Sequence, residues 1–175
     1  MKKITFFEVI LIVAIVIFLF LYFYKNIFKN DADKIIDINR IQSVDLIQMS
    51  PPNLKVYHCV NKYAPEFDIP FKYAFGIVRE ETSYNNPLDY TYNHSQTSPT
   101  GAEGPFQFIP STARYVSGDQ SLTRKEIRNN IDLNTKLAME YARSLYDRYH
   151  SWNVAFGYYN TGYPIINSYA RRITS

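Results

Sequence analysis

The sequence predicts an all-α fold, a small orthogonal bundle of short helices preceded by one membrane-spanning helix. Three observations carry this. From about residue 50 onward, apolar residues recur three and four positions apart in several short segments, and no segment keeps the two-residue rhythm of a strand for a convincing length. Pro, Gly and Asn punctuate those segments at close intervals, so the helices are short and their turns varied, which suits crossed packing better than an up-and-down bundle. The first two dozen residues, by contrast, are apolar all round.

That leading segment runs from Ile4 to Tyr24 with Glu8 as its one interruption, close to the length of about 20 residues that a bilayer core requires. Glu8 lies within two turns of the end, and Tyr22, Phe23 and Tyr24 stand where an interfacial aromatic belt belongs. Lys2 and Lys3 precede it as in a secretory signal, but the run is too long for an ordinary signal core and no small-residue cleavage site follows. Residues 1–24 are therefore expected to be an uncleaved signal anchor in contact with lipid, with the body translocated. Residues 25–50 mix charged and apolar positions and read as a stalk, and the Pro pair at 51 and 52 marks the boundary of a domain over 51–175.

Within that domain a first helix is expected over 53–64, with Val56, Cys59, Val60 and Tyr63 on one face. A second starts with Pro70 in its first turn and runs through "KYAFGIVREETS", its apolar stripe made of Phe71, Ala74, Phe75 and Val78. Glu81 continues that stripe three residues after Val78, whereas Glu80 is turned about 100° away. A polar, irregular stretch follows, then a short helix on "PSTARYVSG" stopped by Gly118. A longer helix spans 130–149 with Ile131, Leu137, Tyr141, Leu145 and Tyr149 inside, and "SWNVAFGYY" and "PIINSYARRI" supply two more around the turn "NTGYP".

Composition narrows the function. A net charge of +3 over 175 residues is too small to argue for nucleic acid, and 46% hydrophobic residues exclude wholesale disorder. Aromatics reach 17%, with 16 Tyr and 12 Phe against one Trp, a supply of stacking platforms for sugars as well as of core material. Cys59 is the one cysteine, so no internal disulfide forms, and it reads as a small core residue. His58, His94 and His150 share no metal-ligand spacing with one another or with Cys59, and neither metal nor cofactor is expected.

The chemistry centres on Glu81. An inward carboxyl group at the end of an apolar helix has its charged form disfavoured by desolvation, which lifts its pKa toward neutrality, and a proton-holding acid is what glycosidic cleavage uses. The motifs around it, "EETSYNNP", "TGAEGPFQFIPSTA", "NTKLAMEYA" and "GYYNTG", resemble in content and order the lytic transglycosylases of the soluble-lytic-transglycosylase type, relatives of goose-type lysozyme. The resemblance covers about residues 55–172 and implies a lysozyme-like domain in which Glu81 is the catalytic acid. Thr82 stands where the family usually has Ser, followed here by Ser83. Gln107 matches a glutamine of the sugar cleft, Phe106 replaces the usual Met, and Tyr159 and Asn160 match a Tyr-Asn pair near the acid. All six are expected to bind substrate on this resemblance. Gly101, Gly104 and Gly162 match turn positions, Ala138 replaces a usual Gly, and the stretch between Pro87 and Gly101 is longer than in the compact family version.

The expected reaction is cleavage of the β-1,4 bond between N-acetylmuramic acid and N-acetylglucosamine in peptidoglycan, leaving 1,6-anhydro ends and needing one protein acid. Two alternatives stay open. A muramidase of the goose-lysozyme kind would use Asp89 or Glu103, both expected to be solvated loop acids, to position a water. A non-catalytic anchored module would bind peptidoglycan glycan strands through the same cleft. The anchor fits the bacterial inner membrane or a phage membrane, with the domain facing the wall beside envelope-machine or virion proteins.

Overall fold

A computed structural model describes residues 49–175, and seven α-helices lie among them. The expected anchor and nearly all of the expected stalk fall outside the described residues. Within those residues no helix is long and apolar enough to cross a membrane. Helix α1 spans Pro52–Glu66, α2 Phe71–Thr82, α3 Pro110–Ser117, α4 Arg124–Asn129, α5 Ile131–Tyr149, α6 Trp152–Thr161 and α7 Ser168–Thr174. No strand forms among them, and the 97–108 loop carries two isolated antiparallel bridges, Thr97 with Glu103 and Glu103 with Phe108.

The helix boundaries follow from local chemistry. Pro52 and Pro110 open α1 and α3 at a position whose N–H has no intrahelical partner, so the missing donor costs nothing. Asn130 and Asn167 cap α5 and α7, accepting from the backbone N–H of Leu133 and Ala170. Helix α4, absent from the expected set, begins with a capping box. Thr123 accepts from the Glu126 N–H, and Glu126 accepts in return from the Thr123 backbone and hydroxyl. The last helix is shorter than expected, because Ile165 and Ile166 precede its cap and stand exposed.

The core gathers Val56, Cys59 and Val60 of α1, Ile77 and Val78 of α2, Met139 and Ala142 of α5 and Phe156 of α6. Helix α2 buries Ala74, Gly76, Ile77 and Val78, a face rotated from the expected stripe, and Phe71 is 48% exposed. Phe71 opens the helix at its first turn, and it is the middle of α2 that packs against α1 and α7. Ile173 of α7 sits against Gly76, where an added Cβ would lie 3.0 Å from its side chain. Cys59 is buried as expected and lies 3.8 Å from an Asp132 carboxylate oxygen, and burial pushes its thiol pKa up to about 12.

Candidate active site

Adjacent carboxylates at the end of α2 meet different surroundings. Glu81 is half-buried, and its Oε1 accepts a 2.6 Å hydrogen bond from the buried hydroxyl of Tyr169 on α7. Desolvation lifts its pKa from the ordinary carboxylate range to about 7; the Tyr169 hydroxyl pulls it back down, and the neighbouring charge of Glu80 pushes it up. Glu80 points elsewhere, 2.6 Å from the Arg172 guanidinium, and is only 13% exposed at its side chain. Tyr169 and Arg172 lie three residues apart on α7, so this one helix receives both glutamates.

Thr82 ties the end of α2 to the glycine-rich loop. Its Oγ lies 2.9 Å from the Pro105 carbonyl and 2.8 Å from the Tyr92 hydroxyl. The next residue of that loop, Phe106, is fully buried, and its carbonyl accepts a 2.9 Å bond from the Tyr159 hydroxyl of α6. Tyr159 thus hangs on the loop that Thr82 holds. Burial first, and then the charge of Glu81, raises its phenol pKa well above the ordinary value.

The loop itself is shaped by Gly104 and Asn134. Gly104 has φ of 77° and no room for a side chain, since a Cβ there would come within 2.8 Å of the Asn134 amide. The Asn134 side chain donates to the carbonyls of Glu103 and Ile127 and accepts from the Phe106 N–H, all while fully buried. Gly101 and Gly162 also have positive φ, as their matched positions led us to expect. Gln107 follows at φ of 49°, a left-handed conformation unfavourable for a residue with a Cβ, and its amide donates to the Gly104 carbonyl at 2.8 Å. With Tyr159, Asn160 and Gly162 it lines a pocket of about 280 Å³.

The expected site residues therefore divide. Gln107, Tyr159 and Asn160 come together around one pocket, and the Asn160 side-chain oxygen accepts from Asn167. Ser83 is the exposed left-handed cap of α2. Thr82 and Phe106 are corrected from sugar-contacting to inward-facing, since both are buried and what they offer is backbone alignment. Glu103 is not the solvated loop acid expected. Its carboxylate is fully buried and held by Thr97 at 2.6 Å, Arg124 at 2.7 Å and Arg128 at 3.1 Å. Burial would raise its pKa, but the Thr97 hydroxyl and the two guanidiniums outweigh it and hold the carboxyl below the ordinary range. Asp89 is half-buried in its own turn, accepting from the backbone N–H and hydroxyl of Thr91. Among the described residues no group of three or more His, Cys, Asp or Glu gathers as a metal site.

Tyr169, Tyr92, Asn134 and Arg172 were not singled out from the sequence. Two of them had a usable signal: Asn134 opens the motif NTKLAMEYA, and Tyr169 is the residue on the last helix that shares a face with the core.

Among solved structures, the 70-kDa soluble lytic transglycosylase of Escherichia coli is similar, at TM-score 0.52 and 20% identity over 67% of this chain. The same soluble lytic transglycosylase type in complex with bulgecin A matches equally, at TM-score 0.52 and 20% identity. An inactive mutant of the lytic transglycosylase Slt from Pseudomonas aeruginosa matches at TM-score 0.50 and 20% identity over 61% of this chain. This chain spans 16–18% of the length of those proteins, and the likeness establishes the fold. No curated protein matches. The model of the transglycosylase SLT domain matches residues 58–173, two thirds of the chain and nearly all of its described part, and the chain belongs to that family.

Proposed function

We propose that this chain is a peptidoglycan lytic transglycosylase in which Glu81 is the one protein acid. The observation that carries the reading is the half-buried Glu81 carboxyl, with a pKa of about 7 and a hydrogen bond from Tyr169, in a chain of the transglycosylase SLT family. Such a group holds a proton near neutral pH and can release it once a bond polarises.

Glu81 donates its proton to the glycosidic oxygen between N-acetylmuramic acid and N-acetylglucosamine, and that bond breaks. The resulting carboxylate then takes the proton from the muramic C6 hydroxyl as its oxygen bonds to C1, closing the 1,6-anhydro ring and restoring the acid. The substrate's 2-acetamido group serves as internal nucleophile between the two steps, as in substrate-assisted glycosidases. No water enters the balance. The muramidase alternative lacks support from the acids available, since both Glu103 oxygens are engaged by Thr97, Arg124 and Arg128 and Asp89 is turned onto Thr91.

Mass spectrometry of fragments released from purified peptidoglycan tests this. The expected products end in anhydro-muramic acid and disappear in Glu81→Gln. Reducing ends would establish a hydrolase, and full activity of the variant would remove Glu81 from the mechanism.

We also infer that residues 4–24 anchor the enzyme in a membrane with its domain facing the wall, supported by the length and apolarity of that run. The full chain is expected to stay with membranes through alkaline carbonate washing; release into the supernatant refutes the anchor.

A further inference from the structure

Glu80 and Glu81 are joined by one peptide bond, so their Cα atoms lie about 3.8 Å apart and each carboxylate feels the charge of the other. The outer of the two is itself far withdrawn from water, with its side chain 13% exposed. A carboxylate in that position needs a cation beside it. Arg172 of α7 supplies it, with its Nε 2.6 Å from the Glu80 Oε2.

The backbone of α7 sets Arg172 in place. Its carbonyl accepts a 3.2 Å hydrogen bond from the Arg79 guanidinium of α2, and the next residue, Ile173, rests on Gly76. One turn earlier on the same face, Tyr169 reaches Glu81. One helix thus brings a neutral donor to the inner carboxyl and a cation to the outer one. The other elements packed on α2 bring no charge to the inner carboxyl. Tyr159 of α6 faces Glu81 as a phenol, α1 meets α2 through Tyr57 against the Phe75 ring, and Tyr92 is bound to Thr82. Glu103, on the loop that Thr82 holds, is engaged by Arg124 and Arg128 instead.

We propose that Arg172 is a positioning residue of the transglycosylase: by holding the Glu80 carboxylate on the outer side of α2, it shields Glu81 from its neighbour's charge and so lets the same group serve first as acid and then as base. This rests on the reading of Glu81 as the one protein acid. Burial is the largest influence on Glu81, and the Glu80–Arg172 pair trims it. Without Arg172 the Glu80 charge stands unopposed, and Glu81 keeps its proton to higher pH. Without the Glu80 charge the inner carboxylate is favoured, and Glu81 gives up its proton at lower pH.

Two titrations of the full chain in detergent micelles test this. Carbon-13 NMR of chain labelled at the glutamate carboxyl carbon follows Glu81 without turnover, its resonance identified by its loss in Glu81→Gln. The pH–rate profile of glycan release, with mass spectrometry of the products, follows the same proton in the reaction. Arg172→Gln, its fold checked by circular dichroism, should move the NMR midpoint and the alkaline limb up by about half a pH unit. Glu80→Gln should move both down, and Arg172→Lys should stay close to the unmutated chain. Added to Glu80→Gln, Arg172→Gln should shift the midpoint by less than half of what it does alone. A midpoint that Arg172→Gln leaves in place overturns the proposal, even where the rate falls, because Arg172 then only clasps α7 to α2. An equal shift in both backgrounds overturns it as well, since Arg172 would not act through Glu80. If Arg172→Gln does not fold, Glu80→Gln decides alone, and a midpoint that stays or rises overturns the proposal. The lyase reading fails separately, through reducing ends or through release that survives Glu81→Gln, while the NMR midpoints still decide the role of Arg172.

Discussion

At Glu81, burial and the charge of Glu80 favour the protonated acid, while the Tyr169 hydroxyl favours the carboxylate. The balance near pH 7 makes both halves of an acid-then-base cycle accessible. Replacing Tyr169 by Phe keeps the ring and removes the donor, so the Glu81 pKa should rise. In the proposed mechanism the protonated form starts the reaction, hence the alkaline limb of the pH–rate profile should move up by about one pH unit, with lower kcat. An unmoved limb in Tyr169→Phe would show that this hydroxyl does not tune the acid. That Glu81 and not Glu80 turns inward was legible from its place three residues after Val78. Its partner Tyr169 was not legible, because a contact across 88 residues of sequence leaves no local trace. The inward turn of Thr82 and Phe106 was hidden for the same reason, since it depends on carbonyls and hydroxyls supplied by other elements.

Among the elements, α6 shows how closely the backbone is packed behind the site. A Cβ on Gly157 would lie 1.6 Å from the Ile165 carbonyl, so the 163–166 segment rests directly on the helix that carries Tyr159 and Asn160. Gly157→Ala must push the two apart, at a cost of about 1–3 kcal/mol, and a clear drop in Tm is the expected result. A Tm equal to that of the unmutated chain would contradict this contact. Helix periods and Pro or Gly stops made most elements readable, including the stops of α3 and α6 at Gly118 and Gly162. Two boundaries escaped. Helix α4 is one and a half turns long, too short for a period, although its Thr-x-x-Glu cap was visible in the sequence. At α7 the apolar pair Ile165 and Ile166 suggested an earlier start than the Asn167 cap permits.

Across the whole described domain, the site draws on α2, the 101–108 loop, α6 and α7, so the acid reaches its environment only when all four are docked. The four motifs that carried the family resemblance fall on those pieces and on α5, whose Asn134 fixes the loop. This is why fold and family could be read from the sequence while the geometry inside the site could not. The raised pKa of Glu81 has a further thermodynamic consequence. The folded chain binds this proton with a pKa of about 7, against 4.5 for an unperturbed glutamate, a difference of about 2.5 units. The resulting contribution to folding is whole below about pH 4.5, fades as the pH rises, and is gone above about 7. Above about pH 7 the folded chain therefore bears up to about 3 kcal/mol of instability from the Glu81 carboxylate. Thermal unfolding of Glu81→Gln should show a Tm above that of the unmutated chain at pH 8 and no such gain at pH 4, and a gain independent of pH would mean the proton is not its source. On the proposed mechanism, activity and thermal endurance are thus set against each other at a single oxygen pair.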